Sequence, residues 1–362
     1  MTNRAKTSVA CFFSLFSAVL LWASTVSISG PRITVFQDVN KTGVGTKPNG
    51  TQTKRPWTSP KPNSTAEFGH GLTRAEADQG WISLFDGKTT FGWKGGVVKN
   101  GSLSGPAITT TAFAHYELRG EADRTGSIRI GEKTYQVKRG LFRYRIQLAK
   151  VSRIEISKGV ILSRMELRPL GLKSVLNGKD LEGWRILKHP RNPKARATWS
   201  IKDGIVRAVG GPGALELQQK HGDVVLQMQV RTGKLSNGGL FFRAIPGDFM
   251  NGYEAQIFNA CYDHDPAQPV RYSTGAIDDR QLARRLVSRD GQWFTMTVIA
   301  RGQHIATWVN GYQQVDWTDT RSPHENPRKG LRIAPGTIQI QAHDPQTDFE
   351  FRNVKIRPTR NP

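Results

Sequence analysis

The sequence predicts an all-β protein, a sandwich or jelly roll of many short strands preceded by a smaller, truncated β domain. Three observations carry that prediction. Glycine is abundant, 37 of 362 residues, while hydrophobic residues make up only 37%; no Ala/Leu/Glu/Lys-rich stretch has a helical period. Apolar and polar residues alternate with period two in several short segments, the pattern of a strand with one buried face. A turn motif also recurs, each time followed by a tryptophan at the same spacing.

From the N-terminus, Arg4 and Lys6 flank an apolar run from Val9 to Ala23, which gives way to small and polar residues up to Gly30. That is the layout of a secretion signal over residues 1–29. The run is short for a membrane span; an uncleaved anchor is the alternative and would be the chain's one membrane contact. Export to the periplasm, cell envelope or exterior is therefore expected. Cys11 and Cys261 are the two cysteines, so a processed chain would fold without an internal disulfide. Residues 30–80 open with a Thr-, Pro-, Asn- and Lys-rich stretch, as in Lys47-Pro48-Asn49-Gly50. Such composition buries little apolar surface, and a disordered linker is expected there.

Two copies of one pattern follow. Ser83-Leu84-Phe85-Asp86-Gly87-Lys88 precedes Gly92-Trp93, and Ser174-Val175-Leu176-Asn177-Gly178-Lys179 precedes Gly183-Trp184. Asp-Gly and Asn-Gly are turn formers because both residue types tolerate positive φ. The closing strings Met165-Glu166-Leu167-Arg168-Pro169 and Val354-Lys355-Ile356-Arg357-Pro358 also correspond. The repeat sets a small β domain over 81–173 and a larger one over 174–362. The first copy has no counterpart of Asn237 to Asn259. In the second, Val224–Val230, Phe294–Val298 and Ile305–Val309 read as strands, with Asn310-Gly311 turning a hairpin.

The candidate chemistry lies in three further strand-like segments, Gly239–Ala244, Gly252–Ile257 and Thr337–His343. Glu254 and Gln256 share one face of Gly252–Ile257, with Tyr253, Ala255 and Ile257 on the other. Arg243 opposes Leu240, Phe242 and Ala244. Gln341 and His343 oppose Ile338, Ile340 and Ala342. If the strands are neighbours, Arg243, Glu254, Gln256, Gln341 and His343 line one groove able to hydrogen-bond a sugar. The competing reading makes Glu254–Arg243 a structural ion pair and His343 a solvent-facing histidine. Asn237, Tyr253 and His264 complete the candidate substrate contacts. No cofactor is expected. Asp263-His264-Asp265 and Asp278-Asp279 offer ligand types for a divalent metal but no defined spacing, so solvated loops are the stronger reading. No zinc pattern, nucleophile elbow or phosphate loop occurs.

The ordered strings of the second copy resemble the 3-keto-disaccharide hydrolase family, also described as 3-keto-glucoside 1,2-lyases and 3-keto-2-hydroxy-glucal hydratases. They are Leu176 to Trp184, Trp199-Ser200-Ile201-Lys202-Asp203-Gly204, Ser236 to Ala244, Gly252 to Ile257, Gln341-Ala342-His343-Asp344 and Phe351-Arg352-Asn353-Val354. The resemblance implies a concanavalin A-like jelly roll acting on an oligosaccharide or glycoside. It implies C2 proton abstraction, loss of the C1 aglycone and rehydration. His343 or Glu254 would be the base, the other assisting, with Arg243, Gln256 and Gln341 on the keto and hydroxyl groups. The first copy matches only the ends of the pattern, so no activity is expected of it.

The net charge of +23 is uneven: residues 1–173 hold 26 Lys/Arg against 11 Asp/Glu, and residues 174–362 hold 26 against 18. Acidic envelope polymers are possible partners of such a surface. Nucleic acid is not expected, because no recognition motif accompanies the charge. A carbohydrate-binding module without turnover and an envelope adhesion protein remain as alternatives to an enzyme.

Overall fold

The computed structural model describes residues 55–61, 64–190, 194 and 196–358. The expected secretion signal and Cys11 lie outside them. Among the described residues no helix is long and apolar enough to cross a membrane.

The fold is all-β. The second copy forms a jelly-roll sandwich of two antiparallel sheets. One is five-stranded, in the order Trp184–Lys188, Gly213–His221, Gly336–Ala342, Gly238–Ala244, Tyr253–Ile257. The other has eight strands, in the order Thr198–Lys202, Ile205–Val209, Asp348–Pro358, Val224–Thr232, Phe294–Arg301, His304–Val309, Tyr312–Thr318, with Lys173–Ser174 beside the long Asp348–Pro358 strand. Alternate residues of both, among them Leu226, Met228, Leu240, Phe242, Ile338, Ile340 and Phe351, form one apolar core between them. A core of this kind supplies the main favourable term in folding.

The first copy is a nine-stranded sheet closed at each end by the same devices as the second. In both, the opening serine caps the turn: Ser83 Oγ donates to Phe85 O at 2.6 Å, and Ser174 Oγ to Leu176 O at 2.8 Å. Asp86 and Asn177 each accept the backbone N–H two residues on, from Lys88 and Lys179. Gly87 and Gly178 follow with φ of 73° and 78°, which glycine adopts without strain. The tryptophan nine positions after Leu84 or Val175 then returns, its Nε1 donating to Leu84 O in one copy and Val175 O in the other. In each, the opening segment pairs antiparallel with the closing strand, Leu167 with Ile82 and Ile356 with Lys173.

The Val224–Thr232 strand departs from its expected single buried face. Val224, Leu226, Met228 and Val230 face the sandwich core, as expected. The other face is buried too, because the first copy covers it. Val225, Ile299, Ala306 and Trp308 join the first copy's core around Ile82, Phe85 and Leu118. Gln227 donates to Gly80 O at 2.8 Å and Gln229 to Asp78 O at 3.1 Å. Amide side chains suit that interface because they satisfy backbone carbonyls that an apolar residue would leave unpaired.

The linker expected over 30–80 is contradicted at its C-terminal end. Trp57–Thr58 pairs with Cys261–Tyr262. Glu67 accepts two hydrogen bonds from Arg285, at 2.7 and 2.8 Å. Thr73 and Glu76 form a reciprocal capping box on the short helix Arg74–Asp78. Thr-x-x-Glu carries that signal in sequence, but averaged composition hid it. Trp81 lies beneath the Arg119 guanidinium, 4.4 Å from the ring centre.

Candidate active site

The face of the five-stranded sheet turned away from the core carries two parallel rows of side chains. Register places Arg185 opposite Glu216, Glu216 opposite Gln339, Gln339 opposite Phe241, and Phe241 opposite Glu254. The second row runs Leu187, Ala214, Gln341, Gly239, Gln256. Period-two alternation turns both rows to one side.

The first row is held at one end by Glu216, which is fully buried. Arg185, Gly247 N at 3.0 Å, Thr337 Oγ1 at 2.6 Å and Gln339 Nε2 at 3.3 Å all donate to it. Burial alone would raise its pKa, but the hydrogen bonds from Thr337, Arg185 and Gly247 more than offset that, and the carboxylate is held below its ordinary range. Glu216 therefore anchors the loop after Gly238–Ala244 to the sheet.

At the other end stands Glu254, 3% exposed. Arg328 Nη2 donates to its Oε2 at 2.5 Å, while Arg328 Nη1 pairs with Asp278. Asp278 reaches this position because the 274–278 segment runs beside the Tyr253–Ile257 strand, with Asp278 N donating to Glu254 O at 3.0 Å. Burial is the main influence on Glu254 and, with the Asp278 charge, outweighs Arg328; its pKa is pushed up to about 7. Its Oε1 lies over Gly239, where a Cβ would come within 2.2 Å of it. Glycine at 239 is thus what admits the carboxylate to the face.

The second row supplies polar atoms without partners. Gln341, 1% exposed, has neither amide atom hydrogen-bonded, and Gln256 Oε1 is likewise unpaired. Buried amides without partners are costly unless something else satisfies them. Beyond the strand end, His343 N continues the ladder to Asn237 O at 3.1 Å. His343 Nδ1 lies 2.6 Å from Asp344 Oδ1, and the ring is partly exposed. Strand spacing and rise put the Cα atoms of Glu254 and His343 about 16 Å apart, at opposite corners of a patch whose middle holds Gln256 and Gln341.

Three expectations are corrected. Arg243 does not line the groove. A bulge after Phe241 and a φ of 50° break the alternation, and its buried guanidinium bonds Gly222 O, Gly302 O, Arg332 O and Asp223. It ties the two sheets together at one end, and the proposed Glu254–Arg243 pair is replaced by Glu254–Arg328. Tyr253 packs in the sandwich core, its hydroxyl donating to Asp319 at 2.7 Å and accepting from Arg332 N at 2.9 Å. His264 sits on the exposed turn between Cys261–Tyr262 and Asp265–Pro269, its Nδ1 donating to Ser59 O at 2.6 Å. Trp308 is 1% exposed and donates to Ser83 O between the two copies, so it offers no aromatic surface to the groove.

Asn237 stays beside His343 through its backbone oxygen, which also accepts from Thr347 Oγ1. The acidic pairs of the metal alternative are engaged with arginines, Asp263 with Arg55 and Asp279 with Arg271. Among the described residues no group of three or more His, Cys, Asp or Glu side chains is placed to hold a metal ion. Sequence reasoning missed Arg328, Asp278 as the carboxylate beside Glu254, and Glu216. Alternation along Gly213–His221 could have shown Glu216; Arg328 lies in a loop with no periodic signal.

A family model for the 3-keto-alpha-glucoside-1,2-lyase-like domain matches residues 171–357, more than half of the chain. No curated protein matches the sequence. Among solved structures, two proteins from Parabacteroides distasonis provisionally assigned as glycosyl hydrolases are similar. One is 18% identical with a TM-score of 0.42, over 52% of this chain and 93% of the other. The second is 24% identical with a TM-score of 0.39, over 52% and 99%. The carbohydrate-binding module CBM66 from Bacillus subtilis is 14% identical with a TM-score of 0.34, over 48% and 95%.

Proposed function

From the premise that the chain belongs to the carbohydrate-active 3-keto-alpha-glucoside-1,2-lyase-like family, we propose that it cleaves 3-keto-glycosides by elimination and rehydration, with Glu254 as the base. The observation that carries the reading is a buried carboxylate, its pKa pushed up to about 7, beside unpartnered buried amides. A group with that pKa is partly ionised at neutral pH and still basic enough to take a proton activated by a neighbouring ketone.

In the proposed sequence Glu254 removes the C2 hydrogen, and the C3 carbonyl takes up the negative charge as an enolate. Gln341 Nε2 donates to the keto oxygen, while Gln341 Oε1 and Gln256 Oε1 accept from sugar hydroxyls, so that the amide atoms left free find partners. The enolate pair forms C1=C2 as the C1–O bond to the aglycone breaks, and the departing oxygen takes a proton. His343, steadied by Asp344, lies at the corner from which that proton would come. Water then adds hydroxyl to C1 and hydrogen to C2, and the net result is hydrolysis. Arg328 keeps Glu254 in place and accessible to its proton without neutralising it. The expected export of the chain fits a glycoside met outside the cytoplasm and is part of the same proposal.

Aglycone release tests this. The purified protein should release the aglycone from an aryl 3-keto-glucoside but not from the unoxidised glucoside. Glu254→Gln should lose about 100-fold or more in kcat, the usual weight of a general base. If the variant binds the ketoglucoside but neither it nor wild type turns it over, the face is a binding groove without catalysis.

A further inference from the structure

A second polar recess lies outside the five-stranded sheet, where the first copy meets the second. Two adjoining hollows of about 390 and 300 Å³ share Thr110, Arg153, Arg301 and His304 as walls. Thr110 and Arg153 come from the first copy, Arg301 and His304 from the hairpin between Phe294–Arg301 and His304–Val309. The recess is therefore made by the joining of the two copies and exists in neither alone.

Its charge is unbalanced. Among the described residues neither Arg153 nor Arg301 forms an ion pair, and Arg301 Nη1 is buried without an acceptor. Arg153 is fixed by one bond, Nε to Thr110 O at 3.1 Å, and the rest of its guanidinium is uncommitted. Lys94 adds a third positive charge to the smaller hollow. The acidic residues nearby are already engaged: Glu155 with Arg129, and Asp316 with His304 and Thr110 Oγ1. Arg153 and Arg301 line both hollows, and burial lowers the pKa of Arg301, with Asp223 opposing and the Arg153 charge adding to the lowering. Two guanidinium groups on one recess, neither in an ion pair, leave donors free for an anion, and guanidinium matches planar or tetrahedral oxyanions well.

We propose that this recess binds an acidic saccharide, with Arg153 and Arg301 gripping its sulfate or carboxylate group. The saccharide part follows from size and lining. Both hollows exceed what one oxyanion fills and fall at the lower end of ligand pockets, while Ser152, Gln303 and Thr318 offer the hydroxyl and amide partners that sugar rings need. The site gives the catalytically bare first copy a role. It would hold an acidic chain while the five-stranded face of the second copy works elsewhere on the molecule.

The test is calorimetric titration of the full-length protein with four probes: a sulfated oligosaccharide, a uronic-acid oligosaccharide, a neutral oligosaccharide of equal length, and inorganic sulfate. At least one acidic saccharide should bind about ten-fold or more tightly than the neutral one and than sulfate alone. Arg153→Gln and Arg301→Gln should each weaken that binding about ten-fold, the weight of one charge-assisted contact. Both should leave Tm and the release of aglycone from a 3-keto-glucoside unchanged, since neither residue carries an ion pair or touches that site. Ala112→Trp, which fills the larger hollow, should also abolish binding. Equal affinity for neutral and acidic chains overturns the proposal, as does equal affinity for sulfate alone or unchanged binding in all three variants.

Discussion

At the scale of single residues, the balance around Glu254 decides what the carboxylate can do. Burial raises its pKa, Asp278 raises it further, and Arg328 lowers it. Because the base must be ionised, kcat/KM should rise with pH through an apparent pKa near 7. Asp278→Asn removes a like charge and should move that limb to lower pH; Arg328→Met should move it to higher pH. A pH–rate profile of the three proteins decides this, and a limb that does not move in either variant would mean another group titrates. These residues also show what alternation can and cannot convey. Glu254, Gln256 and Gln341 were legible because each lies in a regular strand, where the side-chain face follows from counting by two. Arg243 obeyed the same count on paper, but the left-handed residue at its own position turns it out of register. Arg328 and Asp278 lie outside regular strands, and only folding brings them to Glu254.

At the scale of elements, Gly239 and the paired opening turns are the sharpest points. Gly239→Ala puts a methyl group where Glu254 Oε1 lies, 2.2 Å from the ideal Cβ position. The carboxylate must then leave the face, so Gly239→Ala should lose most of the turnover while far-ultraviolet circular dichroism still reports the native sheets. Native activity in that variant would place the base elsewhere. The turn motif was legible in both copies because Asp-Gly, Asn-Gly and the returning tryptophan are local features with a local cause. The capping box at Thr73 was equally local but was masked by the polar composition around it. Thr73→Ala should cost about 1 kcal/mol, read from urea unfolding, as loss of an N-cap does; no change would mean the helix is held only by Arg119 and Trp81.

At the scale of the whole molecule, the two copies share a core, and the first covers the face of the eight-stranded sheet opposite the sandwich interior. The all-β class was evident from glycine content and period-two strands. The burial of both faces of Val224–Thr232 was not, because a glutamine that bonds a neighbouring backbone reads in sequence like one that faces water. Stability should respond to pH through two buried acids, Glu254 in the second copy and Glu166 in the first, both raised from 4.5 to about 7, chiefly by burial. Between those values the unfolded chain has lost protons that the folded chain keeps, so stability falls as pH rises from about 4.5 through 7, by up to about 3 kcal/mol per group. Glu76 acts oppositely: its hydrogen bond from Arg119 lowers it to about 2, and its contribution is lost as pH falls from 4.5 toward 2. Urea midpoints of the Glu254→Gln/Glu166→Gln double variant should be flatter than wild type between pH 4.5 and 7; parallel curves would show that neither acid is shifted.

The central claim is that the glycosidic bond breaks by elimination after Glu254 takes the C2 hydrogen. Turnover of a 3-keto-glucoside in D₂O, followed by proton NMR at early times, tests it most directly. Elimination and rehydration place a solvent deuteron on C2 of the released 3-keto-sugar, while unreacted substrate keeps its hydrogen, and Glu254→Gln should abolish both release and labelling. Release of a product that retains hydrogen at C2 would show direct hydrolysis and contradict the account.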